Sequence, residues 1–180
     1  VLLSDPTQSC MPSLAAASIS GAVSTESRVS VEGVEIGLAG PQTMTYRTDP
    51  QGAFRFSQLP VGVDYALSAT LDENPRNGVS TFDMVLIQKH ILGMQSLDSP
   101  YKVIAADVNN SKSVSTLDLI HLRKLILGID ARFANSPSWR FIPKGHVFSN
   151  ALNPWASPLP EVVSISKLAG DTLASFIAIK

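Results

Sequence analysis

The chain has 180 residues, of which 44% are hydrophobic, and 14 basic and 15 acidic side chains give it a formal net charge of −1. This length supports one or two small domains with a sizeable core. The near-neutral charge excludes a strong electrostatic footprint for nucleic acid, and no apolar run reaches the roughly 18 residues of a membrane helix. A single cysteine, Cys10, leaves no partner for a disulfide within the chain. We therefore expect protein partners, no nucleic acid and no membrane insertion.

The first part of the chain has the pattern of a β-protein. Residues 1–17 contain two prolines and no sustained period, so they predict an extended arm or linker. Short alternating runs then follow at a spacing of about ten residues, which is typical of a small β-sandwich. The runs are residues 19–23, 31–38, 43–48, 53–56 and 65–71. The sequence predicts a Greek-key β-sandwich over residues 18–71.

One phrase within this region carries a family resemblance. Residues 48–67 read T-D-P-Q-G-A-F-R-F-S-Q-L-P-V-G-V-D-Y-A-L, which predicts a hairpin turn at Asp49–Gly52 followed by a strand with Phe54 and Phe56 on one face. The phrase resembles the carboxypeptidase-regulatory-like and collagen-binding B-type repeats of bacterial surface proteins. Some relatives hold the sandwich with a Lys–Asn isopeptide bond. No lysine precedes Lys89 here, so residues 1–71 cannot form that crosslink on their own.

Residues 72–130 contain one pattern written twice, 35 residues apart. Each copy is a loop followed by a helix, predicted over residues 81–92 and 116–127, and such a register indicates a duplicated supersecondary unit. The glycines that end the two helical patterns, Gly93 and Gly128, lie where C-caps belong. The identical matches are Asp72 with Asp107, Asn74 with Asn109, V-S-T at 79–81 with 114–116, Asp83 with Asp118, Lys89 with Lys124, and I-L-G at 91–93 with 126–128.

The second copy has the ligand spacing of an EF-hand calcium loop. Calcium takes six to eight oxygen ligands, and a 12-residue loop turns alternate residues inward while position 7 offers its carbonyl. The ligands predicted here are Asp107, Asn109, Ser111, the carbonyl of Ser113, Ser115 (directly or through water) and Asp118. Because weak extracellular calcium modules require the calcium levels found outside cells, this loop is the main argument for secretion.

The first copy is a poorer calcium loop. Arg76 occupies position 5, where an acceptor belongs, and a guanidinium cannot ligate a cation. The remaining predicted ligands are Asp72, Asn74, the carbonyl of Gly78 and Asp83. For both loops the alternative is a turn that caps a helix without metal, with Ser80 and Ser115 as N-caps.

A calcium loop with only its exiting helix, in tandem, resembles the dockerin module. The resemblance covers residues 72 to about 130 and includes a basic position on each helix, in Gln88-Lys89 and Arg123-Lys124. In that family such positions meet a cohesin partner. The alternative is that these residues complement the helix dipole in the last turns.

Residues 131–180 are irregular and proline-rich at first, and then alternate again at 161–167 and 173–180. The four large aromatics Trp139, Phe141, Phe148 and Trp155 predict that this segment wraps over the core, with sugar or protein binding as the alternative. The final strand is expected either to close the chain's own sandwich or to pair with a neighbour's sheet. Since the chain lacks an initiator Met and stops within a strand pattern, we expect a piece of a longer protein.

The sequence contains no catalytic motif, and His90, His121 and His146 lack ligand spacing. We expect a mainly β protein with a small α part, a β-sandwich plus a dockerin-like pair of EF-hand-type loops. The predicted function is a non-enzymatic, calcium-stabilised structural or adhesin-type module of a secreted or cell-surface bacterial protein, or a repeat unit of a filament. The alternative is a recognition module that binds a cohesin-like partner. We expect calcium to stabilise the helices more than the sandwich.

Overall fold

The computed structural model describes residues 16–180. The elements within this range are, in chain order, β1 (Ala16–Thr25), β2 (Glu35–Ala39), β3 (Met44–Arg47), β4 (Ala53–Pro60), β5 (Tyr65–Thr70), α1 (Thr81–Ile91), α2 (Pro100–Ala106), α3 (Thr116–Ile126), β6 (Arg140–Pro143), a 3-10 helix (Pro154–Ala156), β7 (Val162–Ile165), β8 (Thr172–Leu173) and β9 (Phe176–Ile179). The mainly β class with a small α part is therefore confirmed. Most of the arm predicted over residues 1–17 lies outside the described residues, and its last two residues belong to β1.

The strands form two sheets that share one core. The first has the order β4-β1-β9-β6, with β8 also beside β1, and the second has the order β3-β2-β5-β7. β1 pairs antiparallel with β4 but parallel with β8 and β9, so the first sheet is mixed. A single cluster of buried side chains draws on both sheets, including Ile19, Phe56 and Phe176 from the first and Leu38 and Leu67 from the second. Greek-key connectivity stays a prediction.

The turn before β4 shows why this part of the sequence folds as it does. One carboxylate oxygen of Asp49 accepts from the backbone N–H of Gln51 at 2.9 Å and of Ala53 at 2.8 Å. Gly52 has φ +72°, and a Cβ there would lie 2.3 Å from the carbonyl oxygen of Val23, so only glycine fits. Alternation along β4 then buries Phe54 and Phe56. The predicted turn at Asp49–Gly52 is confirmed, but the predicted hairpin is wrong, because β3 and β4 on either side of the turn belong to different sheets.

The C-terminal segment completes both sheets. β9 lies between β1 and β6, with Val23 opposite Phe176 and Ile142 opposite Ile177. β7 extends the second sheet beside β5. Of the two arrangements expected for the final strand, the structure shows the one within the chain, and the sandwich is therefore built from residues 16–70 together with 140–179.

The two predicted helices are confirmed within one residue, and the structure contains a further helix, α2, that was not predicted. The seven-residue α2 has Pro100 at its first position, and Ser99 caps it by accepting from the N–H of Tyr101 at 3.1 Å. The helix is too short to show a helical period, so the cap and the proline were its only sequence signals. Glycines 93 and 128 follow α1 and α3 with φ of +67° and +73°, as their predicted C-cap role requires.

A second layer of packing joins the helices to the sandwich. Ile104 of α2 forms a buried cluster with Ile142 of β6 and Ile179 of β9. Around it, Trp155 packs against the cluster and Phe148 meets Tyr101 edge to face, with ring centroids 5.2 Å apart. The other two tail aromatics, Trp139 and Phe141, pack in the sandwich core. The structure thus places all four tail aromatics against core side chains, where the wrapping interpretation expects them.

Candidate metal sites in the two loops

The second loop is held at both ends by buried carboxylates. Asp107 follows the last residue of α2 and is 2% exposed, and Asp118 lies in the first turn of α3 and is 0% exposed. Positive φ angles at Asn110 (57°) and Lys112 (63°) curl the chain between them. The loop therefore brings its first and twelfth positions into the interior of the molecule.

The oxygens predicted as ligands at positions 1, 3, 5 and 7 converge. The backbone N–H of Ser111 donates to Asp107 Oδ1 at 2.8 Å and to Asn109 Oδ1 at 2.9 Å. The hydroxyl of Ser111 lies 3.4 Å from Asp107 Oδ1 and 3.2 Å from the carbonyl oxygen of Ser113. Four of the six predicted ligands are thus connected to one another through Ser111.

The remaining two predicted ligands form a capping box at the start of α3. Asp118 Oδ2 accepts from the N–H of Ser115 at 2.8 Å and from its hydroxyl at 3.1 Å. Asp118 Oδ1 accepts from the N–H of Asn109 at 3.3 Å, which ties the twelfth position of the loop to the third. The capping alternative and the ligand prediction therefore use the same side chains.

The charge on this loop lacks a protein counterion. Within residues 16–180, the ion pairs involve Glu35, Asp72, Asp98 and Glu161, and neither Asp107 nor Asp118 has a basic side chain within 4.0 Å. Buried charges in proteins are normally paired or coordinate a metal. Two buried carboxylates beside amide, hydroxyl and carbonyl oxygens are the donor set that a hard cation such as calcium takes, so these residues fit the predicted ion.

Within residues 16–180, no group of three or more His, Cys, Asp or Glu side chains is placed so that it could hold a metal ion. The predicted set in the second loop has only two carboxylates, and its other ligands are amide, hydroxyl and carbonyl oxygens. Calcium binding there consequently stays a prediction.

The first loop is built differently, although its spacing is the same. Asp72 is exposed, and its Oδ2 accepts from Arg132 Nη1 at 2.9 Å while its Oδ1 accepts from the hydroxyl of Ser138 at 2.8 Å. Hydrogen bonding from Ser138 is the largest cause that lowers the pKa of Asp72 below its usual value, and the charge of Arg132 lowers it further. The carboxylate is therefore satisfied by the C-terminal segment.

Two other residues of the predicted set make contacts outside it, Asn74 through its backbone carbonyl and Asp83 through its carboxylate. The carbonyl of Asn74 accepts from Lys180 Nζ at 2.8 Å, and Asp83 Oδ2 accepts from the N–H and hydroxyl of Ser80 at 2.7 and 2.8 Å. Gly78 has φ +78°. In the part of the chain that the structure describes, no hydrogen bond joins Asp72, Asn74, Gly78 and Asp83 to one another.

The three residues that donate hydrogen bonds to this loop, Arg132, Ser138 and Lys180, were not predicted from the sequence. Arg132 and Ser138 lie 60 and 66 residues after Asp72, and Lys180 lies 106 residues after Asn74. Contacts at such separations leave no local pattern, and no signal in a single sequence could have found them.

The outward faces of α1 and α3 form a second candidate surface. Their inner sides pack together through Ile87 and Leu122, which are buried. On the outside, exposed apolar side chains recur at the 35-residue offset of the repeat, and the C-terminal segment does not bury them. The matched pairs are Phe82 with Leu117, Val85 with Ile120, Leu92 with Leu127, and Met94 with Ile129.

None of the helices within residues 16–180 is long and apolar enough to cross a membrane. No family model and no curated protein sequence matches the chain. Among solved structures, the C-terminal fragment of the pilus adhesin SpaC from Lactobacillus rhamnosus GG aligns with 13% identity and a TM-score of 0.29, over 32% of this chain and 24% of that chain. The aligned part is a minor share of both chains, and a score this low does not establish a common fold.

Proposed function

We propose that residues 107–118 bind one calcium ion and that the chain is a non-enzymatic, calcium-stabilised structural module. The observation that carries the proposal is the burial of Asp107 and Asp118 beside converging loop oxygens with no basic side chain within 4.0 Å. A bound cation would compensate this buried negative charge. Asp107, Asn109, Ser111, Ser115 and Asp118, with the carbonyl of Ser113, would hold it.

The position of the loop supports a structural role. It connects α2, which packs on β6 and β9 through Ile104, with α3. Arg140 of β6 adds a polar connection, because it donates to Glu161 Oε1 at 2.9 and 2.8 Å and to Asn110 Oδ1 of the loop at 3.4 Å. A cation that orders this loop would therefore fasten the helices to the sandwich. Modules of this kind bind calcium with dissociation constants of about 10⁻⁴ to 10⁻³ M outside cells, which favours a secreted or cell-surface bacterial protein.

The test is calorimetric titration of the chelated protein with calcium, together with melting curves in chelator and in excess calcium. We expect one binding event and a higher melting temperature, because at about 100 times the dissociation constant a ligand adds roughly 2.7 kcal/mol of stability. Asp107→Ala and Asp118→Ala should each abolish both signals. Absence of heat and of a melting shift in the unsubstituted protein would refute the proposal.

A second candidate function, a recognition module for a cohesin-like domain, is favoured by the exposed apolar faces of α1 and α3. Phe82 and Leu117 are 65% and 57% exposed at matched positions. Lys89 and Arg123-Lys124 lie in the last turns of the same helices. Exposed apolar groups beside basic ones suit a partner with an apolar centre and an acidic rim.

This candidate is tested by titrating immobilised cohesin domains with the chain. The double substitution Phe82→Ser with Leu117→Ser should weaken any binding, whereas Val147→Ser, at an 85% exposed position outside the helices, should not. No binding to any cohesin, or equal effects of the two variants, would leave the structural role as the better proposal.

A further inference from the structure

Three basic side chains lie at the first loop. Two of them come from distant parts of the chain, and the third belongs to the loop. Arg132 pairs with Asp72, and Lys180 donates to the carbonyl of Asn74. Lys180 also lies 4.7 Å from the centre of the Trp139 ring, which holds the ammonium in place. The third, Arg76, lies in the loop itself, and its guanidinium Nη2 would be 3.2 Å from a Cβ on Gly128, at the end of α3.

We infer that the first loop does not bind calcium and instead forms a metal-independent joint, closed by Arg132 and Lys180, that fixes the helices to the sandwich. This inference goes beyond the proposed function, and its test does not depend on calcium binding at the second loop.

The chemistry of the loop argues against a metal there. Asp72 accepts from the charged Arg132 guanidinium as well as from the Ser138 hydroxyl, whereas Asp107 and Asp118 accept only from uncharged backbone N–H and hydroxyl groups. A calcium ion between Asp72 and Asn74 would have to displace Arg132 and approach the Lys180 ammonium, so like charges would repel it. Arg76 offers no acceptor at position 5. At the second loop Arg140 donates to Asn110, which is not a predicted ligand, and the ion pairs within residues 16–180 include neither Asp107 nor Asp118.

The connectivity explains what the joint does. Asp72 follows β5 by two residues, Arg132 follows α3, Ser138 precedes β6, and Lys180 directly follows β9. Three chain segments, which flank β5, α3, β6 and β9, therefore meet at this loop. An isolated ion pair at a surface stabilises little, but a network that joins three chain segments restricts how the helices and the sandwich can move apart.

The test combines calcium stoichiometry with chemical denaturation of the full chain. Terbium luminescence and calorimetry should both give one site, lost in Asp107→Ala and retained in Asp72→Ala. In chelator, Asp72→Ala and Arg132→Ala should each lower the urea midpoint. The double variant should lower it by clearly less than the sum of the two, because the residues act as a pair. Lys180→Met, which keeps the apolar stem and removes the ammonium, should also lower the midpoint without changing the stoichiometry.

Two results would overturn the inference. One is a second bound ion that disappears in Asp72→Ala, and the other is full additivity of Asp72→Ala and Arg132→Ala in chelator. A protein that binds no calcium at all would instead refute the proposed function, while the urea measurements in chelator would still decide on the joint.

Discussion

The loop that begins at Asp72 and the loop that begins at Asp107 have the same spacing of acidic residues but follow different elements. The first leaves β5 at the surface, so Asp72 is exposed and finds partners in the C-terminal segment. The second leaves α2, whose buried Ala106 is followed by the equally buried Val108, so Asp107 is carried inside between them. The preceding element therefore decides whether the same carboxylate becomes a surface ion-pair partner or a buried group without a basic side chain within 4.0 Å.

The largest expected difference between the loops concerns the twelfth position. Asp118→Ala should abolish calcium binding. In chelator it should still lower the free energy of unfolding by about 1 kcal/mol, because the helix cap is lost. A further loss of about 1 to 3 kcal/mol is expected if the N–H of Asn109 is left without an acceptor away from water. The matched variant Asp83→Ala loses only its cap to Ser80, roughly 0.5 to 2 kcal/mol, and should keep the calcium signal. Calorimetry and urea unfolding measure both. Equal loss of calcium binding in the two variants would remove the distinction between the loops.

The helix that leads into the second loop offers the next test. Ile104 of α2 is 2% exposed in the cluster with Ile142 and Ile179, so Ile104→Ala should lower the free energy of unfolding by about 2 to 5 kcal/mol. Because the cluster belongs to the helices and to the sandwich, the helical and β circular dichroism signals should melt together. This differs from the expectation, based on the sequence, that calcium stabilises mainly the helices.

The control is Leu92→Ala, at a 61% exposed position after α1, which should stay within about 0.5 kcal/mol of the parent. If Ile104→Ala instead melts the helices early and leaves the sandwich transition unchanged, the second loop is not part of the same folding unit.

A smaller effect is expected at the fifth position of each loop. Ser111→Ala removes one hydroxyl ligand from the second loop and should weaken calcium binding by about 1 to 2 kcal/mol, roughly 5- to 30-fold. The reciprocal change, Arg76→Ser, supplies an acceptor to the first loop but leaves Asp72 paired with Arg132. Titration of Arg76→Ser should consequently still give one bound ion. A second bound ion would mean that Arg76 alone had kept the first loop empty.

Local patterns in the sequence were enough for the elements but not for their partners. Alternating runs such as the one around Phe54 and Phe56 predict most of the strands within residues 16–180, and the repeated helical pattern predicts two of the three α-helices there. Both signals are periodicities of neighbouring residues. The spacing of Asp107 and Asp118 likewise identified the candidate loop. The contacts that were not predicted join residues far apart in the chain: Val23 pairs with Phe176, and Asp72 with Arg132. No period or cap encodes such pairs in a single sequence.

The smallest effect is expected from acid, and it separates the two loops through Asp72. Hydrogen bonds from Ser138, and then the charge of Arg132, lower the pKa of Asp72. A carboxylate with a lowered folded-state pKa stabilises the protein above its unfolded-state value of about 3.9, and this contribution is lost as the pH falls through the lower folded-state value. In chelator, Asp72→Asn should therefore lower the urea midpoint at pH 7, and the two midpoints should converge as the pH falls through the lowered folded-state pKa of Asp72. Asp171, whose pKa is lowered by hydrogen bonds from the backbone and side chain of Ser18 and by the charge of Arg55, provides the matched control away from both loops. Asp171→Asn should show the same convergence.

Added salt should reduce the Asp72 effect, because the pair with Arg132 is exposed. A difference between Asp72→Asn and the parent that is constant from neutral to acid pH would mean that the ionised carboxylate does not hold the first loop.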